Sequence, residues 1–138
     1  MKPTIFIHTN HKQYLGALVS RHSLRRNSSH ADKFDIKIIE TRDYPCMQEK
    51  EGRLYLRDGE MRPWLNNDLQ SFTPLRFAPP QLMGYTGRAI VVDPDVFAVG
   101  DVWDLLNRDM QGKAIMCRPK SGRKGRKGAY ASSVMLLD

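Results

Sequence analysis

The stretch RAIVVDPDVFAVGD, residues 88–101, joins a short apolar run to two aspartates that flank a proline. Apolar side chains occupy consecutive positions 89–92, which is typical of a central strand covered on both faces. Asp93 and Asp95 follow directly, at the expected carboxyl end of that strand. Because open α/β sheets bind ligands outside the carboxyl ends of their strands, this stretch predicts both a sheet and the place of a site.

Strand and helix patterns alternate over the first forty residues. The segment PTIFIHT, residues 3–9, is apolar and β-branched and predicts a buried first strand. Apolar residues then recur at helical spacing over residues 11–26, and FDIKIIE, residues 34–40, predicts a second strand. A strand, a helix and a strand in this order form a βαβ unit, which indicates an α/β fold with a parallel sheet.

The rest of the chain has weaker patterns. Residues 41–67 carry mixed charges and predict loops with one short helix, and three prolines in residues 69–83 must interrupt or bend any helix there. Three further elements are expected: a short helix capped by Asp101, a strand over residues 113–118 and a strand over residues 132–138. An apolar final strand normally precedes chain that packs over it, so the sequence is expected to be the N-terminal part of a longer protein, or a truncated copy of one.

Length and composition favour one globular domain. The chain has 138 residues, of which 41% are hydrophobic and 27% charged, a composition that excludes a disordered chain. No apolar run approaches the ~20 residues of a membrane span, so no transmembrane segment is expected. The net charge of +7 is concentrated in residues 118–128, RPKSGRKGRKG. This stretch predicts either a solvated loop or a loop that meets phosphates.

The two cysteines bear on the compartment. Cys46 and Cys117 form neither a disulfide framework nor a zinc-binding pattern. Two buried thiols in a reducing environment are the simplest interpretation, and they predict a cytoplasmic protein.

Asp93 and Asp95 are candidate ligands of a metal ion. In extended backbone, residues i and i+2 project to the same face, so the two carboxylates would converge. Pro94 restricts its own φ and that of Asp93, which reduces the freedom lost on binding. Oxygen ligands without histidine suit Mn²⁺ or Mg²⁺ on a diphosphate better than zinc. The alternative is a simple turn at a strand end, where aspartate and proline are common.

Three stretches together resemble the family 8 glycosyltransferases, which include glycogenin and bacterial lipopolysaccharide galactosyltransferases. They are IFIHTNHKQYLGALVSRHSL (5–24), FTPLRFAPPQLMGYTGRAIVVDPDVFAVGDVWDLL (72–106) and AYASSVMLLD (129–138). The resemblance implies a GT-A-type fold, with a Rossmann-like, mainly parallel sheet flanked by helices. It also implies transfer from a UDP-sugar donor with retention of configuration, and Mn²⁺ or Mg²⁺ held by Asp93 and Asp95.

The resemblance also implies donor-binding residues. Ile7, Thr9 and Asn10 would contact the uracil and ribose, and Tyr14 would stack on the base. The spacing of Tyr14 with Leu18 equally fits a residue of the helix core. His8 and His11 are interpreted as strand-end and helix-start residues, not as ligands.

Two more donor contacts follow from the central stretch. Arg76 would reach the donor phosphate or sugar, and otherwise it is a surface arginine. Pro94 would present its backbone to the sugar. No residue is assigned as nucleophile or general base.

The resemblance covers a donor-binding domain, residues 1–138, without an acceptor-side portion. The family's third metal ligand, a histidine in its C-terminal portion, has no counterpart in this sequence. The expected partners are a UDP-sugar and a glycan, lipid or protein acceptor. A donor-binding fragment without transferase activity is the nearest alternative.

Two other functions stay open as alternatives. An aspartate-nucleophile phosphatase also places Asp-x-Asp after an apolar strand, but its signature continues with Thr or Val where this chain has Phe97. A nucleic-acid-binding module could use residues 118–128, yet no aromatic side chains interleave with that basic run to stack on bases. Nucleic acid is therefore not an expected partner.

Overall fold

A computed structural model describes residues 1–120 and 129–138 of the chain. Seven strands and four α-helices lie in these ranges, together with two short 3₁₀ helices at Thr41–Asp43 and Thr73–Phe77. The strands are β1 (Thr4–Thr9), β2 (Asp35–Glu40), β3 (Leu54–Arg57), β4 (Glu60–Pro63), β5 (Ala89–Val92), β6 (Ile115–Pro119) and β7 (Tyr130–Leu137). The helices are α1 (Tyr14–Arg26), α2 (Pro45–Gln48), α3 (Pro79–Leu82) and α4 (Val102–Leu106).

Five strands form the main sheet, in the order β2-β1-β5-β7-β6. β1 pairs in parallel with both β2 and β5, so the predicted βαβ unit is confirmed. β5 lies between β1 and β7 and all four of its residues are buried, as its uninterrupted apolar sequence predicts. The fold is therefore α/β with a mainly parallel sheet.

β7 is the one strand of this sheet that runs against its neighbours, pairing antiparallel with β5 and β6. Its first residues consequently lie beside the carboxyl end of β5, where the backbone N–H of Asp93 donates to the Ser133 carbonyl at 2.9 Å. The reversed strand thus brings a distant part of the sequence to the edge at which the two aspartates stand.

The core has two parts, which alternate side chains of β1 help to form. Ile5 and Ile7 pack in a cluster with α1 and α4 residues, whereas Phe6 packs in a second cluster with residues such as Met47 and Leu75. Because successive side chains of a strand point to opposite faces, the sheet is covered on both sides. This double burial explains why all six residues of β1 are buried.

A β-hairpin occupies part of the region predicted to be loops. β3 and β4 pair antiparallel through a turn at Asp58 and Gly59, whose φ angles are 54° and 86°. Positive φ at both turn residues is characteristic of the two-residue hairpin turn that Asp-Gly favours. The loop prediction for residues 41–67 was therefore wrong here, although it correctly allowed a short helix, α2.

The prolines of residues 69–83 act as predicted. Pro74 stands in the 3₁₀ helix and Pro79 begins α3, so two short helices replace one long helix. A proline is tolerated in the first turn of a helix because its missing N–H has no partner there.

The cysteines differ from expectation. Cys46 is exposed on α2 and Cys117 is half-buried in β6, so the prediction of two buried thiols was wrong.

Residues 1–120 and 129–138 contain no helix long and apolar enough to cross a membrane.

The loop after β5 ends at the predicted cap of α4. The Asp101 carboxylate accepts a hydrogen bond from the backbone N–H of Trp103 at 2.9 Å, and it also accepts from Ser28 and Ser29. His30 Nδ1 lies 3.1 Å from its other oxygen. These donors, above all the Ser28 hydroxyl, hold the pKa of Asp101 well below its ordinary value. Asp101 thereby ties α4 to the end of α1.

We expect Asp101→Asn to lower the melting temperature by several degrees at neutral pH. Asparagine can still cap the helix, but it replaces the anionic acceptor of several donors with one neutral amide oxygen. The folded-state pKa lies below 3.8, so the carboxylate stabilises the fold above that pH. The difference between wild type and variant should shrink as the pH falls from 3.8 towards the folded-state pKa. Thermal unfolding across this range measures it. Asp104→Asn, on the same helix but not a cap, should show a much smaller difference at every pH.

Candidate functional site

A polar cleft of about 790 Å³ lies where β1 and β5 end and β7 begins. Its walls come from the loop after β1, the segment before Arg76, the turn after β5 and the ends of β6 and β7. The lining residues are Gln13, Leu69, Gln70, Phe72, Thr73, Arg76, Asp93, Asp95, Lys120 and Ser132. Both aspartates singled out in the sequence thus stand in one cleft at the carboxyl edge of the sheet.

Asp93 to Val96 form a turn instead of continuing the strand. The Val96 N–H donates to the Asp93 carbonyl at 3.2 Å, with Pro94 at the second turn position, where its fixed φ is favourable. The prediction that extended backbone makes the two carboxylates converge was therefore wrong. The turn interpretation and the binding interpretation are compatible, because the turn itself places Asp93 and Asp95 in the cleft.

Helix α1 holds this turn from behind. Ser20 Oγ donates to the Val96 carbonyl at 2.7 Å. Gly16 lies so close to the turn that an added Cβ would be 2.8 Å from the Pro94 carbonyl oxygen. Helix and turn approach this closely only because residue 16 has no side chain. The position of the aspartates therefore depends on α1.

Two cationic or potentially cationic side chains meet the Asp93 carboxylate. Arg76 Nη2 donates to Asp93 Oδ1 at 3.2 Å, and His8 Nε2 lies 3.0 Å from the same oxygen. His8 is completely buried, and neither ring nitrogen has a well-aligned hydrogen bond to a described residue. The approach of His8 to Asp93 is thus a close contact and not a well-aligned hydrogen bond. Both partners engage Oδ1, which leaves Oδ2 available to a ligand.

Asp95 is the more accessible carboxylate. It is exposed in the cleft and makes no hydrogen bond or ion pair with residues 1–120 or 129–138. The free oxygens of Asp93 and Asp95 are hard ligands, which suit Mg²⁺ or Mn²⁺ together with phosphate oxygens and water. In the described part of the chain, no cluster of three or more His, Cys, Asp or Glu side chains is placed to hold a metal ion. The donor set therefore fits a cation shared with a ligand better than a closed protein site.

Positive charge also enters the cleft. The Arg76 guanidinium bridges Asp93 and the Ser132 hydroxyl, and only 14% of its side chain is exposed. Lys120 also lines the cleft and is exposed. Two carboxylates beside two cations can bind an anion and its counter-cation together. The remainder of the predicted basic loop, residues 121–128, lies outside the described residues.

Several residues predicted to contact the nucleoside lie inside the protein. Ile7 and Thr9 have no exposed surface, and Ile7 belongs to the core cluster beneath α1. Thr9 Oγ1 donates to the Asn10 carbonyl at 3.1 Å. These residues form the floor behind the cleft and do not line it.

Asn10 is fully occupied by the protein. Its Nδ2 donates to the backbone carbonyls of residues 68–69 and to Ser71 Oγ, at 3.0–3.2 Å. Its Oδ1 accepts from the backbone N–H groups of Lys12 and Gln13. Asn10 therefore fixes the turn that leads into α1 and anchors the segment that forms one wall of the cleft.

The other predicted residues lie at the rim or behind it. Tyr14 is 42% exposed, which contradicts a core position but does not place it among the cleft residues. The carbonyl of Pro94 faces Gly16 of α1, so in this structure the Pro94 backbone does not point into the cleft. His8 is the next-to-last residue of β1, in agreement with its interpretation as a strand-end residue. His11 lies in the turn before α1, so its interpretation as a helix-start residue was wrong.

Sequence reasoning did not assign several residues of the site. Gln13, Lys120 and Ser132 line the cleft, and His8 contacts Asp93. The position of His8 near the carboxyl end of the first strand is a signal that could have placed it beside Asp93, the candidate metal ligand at the end of the neighbouring strand. Ser132 had no such signal, because its approach depends on the pairing of β7 with β5. Lys120 belongs to the basic stretch 118–128, for which contact with phosphates was one of the two predictions.

A second cavity lies at the opposite edge of the sheet. It has a volume of about 300 Å³ and a mostly apolar lining that includes Pro79, Met83, Ile115 and Leu137. Among the described residues that line it there is one carboxylate, Asp138, and no Lys or Arg, so the charged cleft is the better candidate for a site that handles phosphates.

Fold and cleft together define an α/β protein of the GT-A type. Solved structures with this fold include GlyE of Streptococcus pneumoniae TIGR4, a glycosyltransferase, with a TM-score of 0.63 and 15% identity over 99% of this chain. An active-site mutant of LgtC gives a TM-score of 0.59 and 10% identity over 98% of this chain. Mouse xyloside xylosyltransferase 1 gives 0.54 and 14% over 97%.

These similarities establish the fold of the chain. The chain spans 34% of the GlyE chain, 56% of the LgtC chain and 66% of the xylosyltransferase chain. No protein-family model and no curated protein matches the sequence. The predicted mainly parallel GT-A-type sheet is confirmed.

Proposed function

We propose that this chain is the donor-binding domain of a retaining family 8 glycosyltransferase that takes its sugar from a UDP-sugar. The observation that carries the proposal is the turn that places Asp93 and Asp95 in a charged cleft at the carboxyl edge of a GT-A-type sheet. The solved structures of the same fold are glycosyltransferases, and the three stretches quoted above support family 8. One LgtC structure contains donor and acceptor sugar analogues.

In this proposal the aspartates of the cleft bind the metal ion, and its basic side chains bind the diphosphate. Arg76 donates to Oδ1 of Asp93 and His8 contacts the same oxygen, which leaves Asp93 Oδ2 and the exposed Asp95 carboxylate to bind Mn²⁺ or Mg²⁺. Such a cation, when bound, neutralises charge on the departing nucleoside diphosphate. Lys120 and the Arg76 guanidinium add positive charge beside the same phosphates.

The nucleoside would occupy the side of the cleft where α1 begins. Gln13 lines the cleft there and the exposed ring of Tyr14 is the next residue along the chain. In the proposal Tyr14 stacks on the base, while Ile7, Thr9 and Asn10 support the uridine site from behind. Pro94 contributes by fixing the turn. The acceptor, whether glycan, lipid or protein, and transfer itself would involve more of the protein than this chain contains, and a cytoplasmic location stays a prediction.

Thermal unfolding in the presence of UDP-sugars tests the proposal. At a ligand concentration about 100 times the Kd, binding stabilises the folded state by about 2.7 kcal/mol, which raises the melting temperature by several degrees. We expect this shift for UDP-galactose or UDP-glucose with Mn²⁺ and a much smaller shift when EDTA is added. Mn²⁺ alone and GDP-mannose with Mn²⁺ are the controls. An equal shift with GDP-mannose would contradict uridine recognition, and no shift with any nucleotide would contradict the proposal.

A further inference from the structure

The first half of α1 exposes apolar side chains. Leu15 is 74% exposed and Val19 is 47% exposed, whereas Ala17 and Leu24 of the same helix pack in the core. At 3.6 residues per turn, Leu15 and Val19 lie about 40° apart around the helix axis. They form one apolar patch on the outer side of α1. We use the name α1 face for this patch together with the basic residues Arg25 and Arg26 of the same helix.

The second half of α1 adds positive charge near this patch. At 3.6 residues per turn, Arg26 lies between Leu15 and Val19 around the helix axis, Arg25 lies about 80° from Leu15 at the edge of the outer side, and Arg21 lies farther towards the core side. Arg25 and Arg26 are exposed, Arg21 is partly exposed, and the sequence of the helix, YLGALVSRHSLRR, contains no acid. None of these arginines forms an ion pair with a described residue. Elsewhere several arginines do have carboxylate partners: Arg42 with Glu40, Arg62 with Glu60 and Arg88 with Asp138. The α1 face therefore carries uncompensated charge beside exposed apolar surface.

We propose that the α1 face docks the protein on an anionic membrane surface. A helix with apolar residues and arginines but no acid on its outer side is typical of helices that lie in the membrane interface. Leu15 and Val19 would enter the boundary between head groups and acyl chains. Arginine side chains are long enough to keep their charge at the lipid phosphates while their stems pack on apolar surface.

An anionic membrane fits this surface better than a purely electrostatic partner. A nucleic acid would neutralise the arginines but would leave Leu15 and Val19 in contact with a charged backbone. A neutral apolar partner would bury the two side chains but would leave Arg25 and Arg26 without counter-charge. Anionic lipid would bury the two apolar side chains and supply counter-charge to the arginines, and this binding needs no membrane-spanning helix.

The α1 face is distinct from the residues that line the cleft, although it starts beside them. Gln13 lines the cleft and α1 begins at the next residue. None of Leu15, Val19, Arg25 and Arg26 lines the cleft. Membrane docking and nucleotide binding should therefore be separable by substitution, and a docked α1 face would hold the donor cleft close to the lipid surface.

Vesicle sedimentation tests the proposal directly. The chain should sediment with vesicles of phosphatidylcholine mixed with phosphatidylglycerol and should bind phosphatidylcholine vesicles much more weakly. We expect Arg25→Gln/Arg26→Gln to weaken binding to the anionic vesicles about 20-fold and Leu15→Ser/Val19→Ser about tenfold or more. Both double variants should keep the wild-type shift with UDP-sugar and Mn²⁺.

Matched variants remove equal charge or apolar surface elsewhere. Arg42→Gln/Arg62→Gln removes two exposed arginines, and Leu56→Ser/Met61→Ser removes side chains that are 69% and 60% exposed on the hairpin. Both should bind anionic vesicles like wild type. Failure of the wild-type chain to sediment, or an equal loss in the matched variants, overturns the proposal. Binding of a single-stranded oligonucleotide that depends on Arg25 and Arg26, without vesicle binding, identifies a nucleic acid as the partner instead.

Discussion

Asp95→Asn is expected to weaken Mn²⁺-dependent UDP binding by at least about 100-fold, because it removes the most accessible carboxylate of the cleft. Even residues that only support a metal ligand change metal affinity about 10–100-fold when substituted, so loss of a ligand sets a stronger expectation. The carboxylate contacts no described side chain, and the fold should be unaffected. Calorimetric titration of UDP in the presence of Mn²⁺ measures the loss, and thermal unfolding without ligand checks the fold.

Asp32→Asn is the matched control for this experiment. Asp32 is also exposed and forms no ion pair with a described residue, but it lies in the loop before β2, outside the cleft. It should bind UDP and Mn²⁺ like wild type. Unchanged affinity in Asp95→Asn would remove Asp95 from the metal site and would leave the proposed function without its main support.

Asp95 is a cleaner position for this test than Asp93. Substitution of Asp93 would leave Arg76 and the buried His8 without the carboxylate that they contact. A buried charge that loses its partner is strongly destabilising. A loss of binding in an Asp93 variant could therefore come either from the missing metal ligand or from destabilisation around the end of β5.

Gly16→Ala is expected to weaken UDP binding about 10–100-fold although residue 16 touches no ligand in the proposed site. The new Cβ would lie 2.8 Å from the Pro94 carbonyl oxygen, and a backbone atom can move away only if the turn moves. Displacement of a binding group by about 1 Å can reduce function by two orders of magnitude. Overpacking costs about 1–3 kcal/mol, and the higher helix propensity of alanine offsets about 1 kcal/mol of that, so the net loss of stability should be about 2 kcal/mol or less.

The combination of a modest loss of stability and weak binding distinguishes this prediction from simple unfolding. Gly100→Ala is the control, because a Cβ on Gly100 has no atom within 4 Å and its φ is not in the left-handed region. It should leave both melting temperature and UDP affinity unchanged. Wild-type affinity in Gly16→Ala would mean that the turn adjusts without moving the aspartates.

Much of the fold could be predicted from local sequence. β1, β2 and β5 were found because apolar, β-branched runs have few other stable states. The cap of α4 was found because Asp101 precedes a helical pattern. The hairpin at Asp58 and Gly59 was also readable, since Asp-Gly between short strands favours a tight turn, but the mixed charges around it obscured the signal.

The candidate site was only partly predictable. The sequence alone singled out Asp93 and Asp95 and placed them at the end of a strand. It assigned nucleoside contacts to Asn10 and Thr9, whose side chains turn inward because each finds protein hydrogen-bond partners. His8 was set aside, although it lies 3.0 Å from Asp93 Oδ1.

The sequence by itself determined an α/β sheet with two aspartates and a proline at the carboxyl end of its central strand. These features follow from local preferences of neighbouring residues, which a linear pattern records. Only the tertiary structure decided that β7 runs antiparallel beside β5, that α1 presses Gly16 against Pro94, and that Arg76 and His8 converge on one carboxylate oxygen. Those contacts join residues far apart in the chain, and they form only when sheet order and packing bring their elements together.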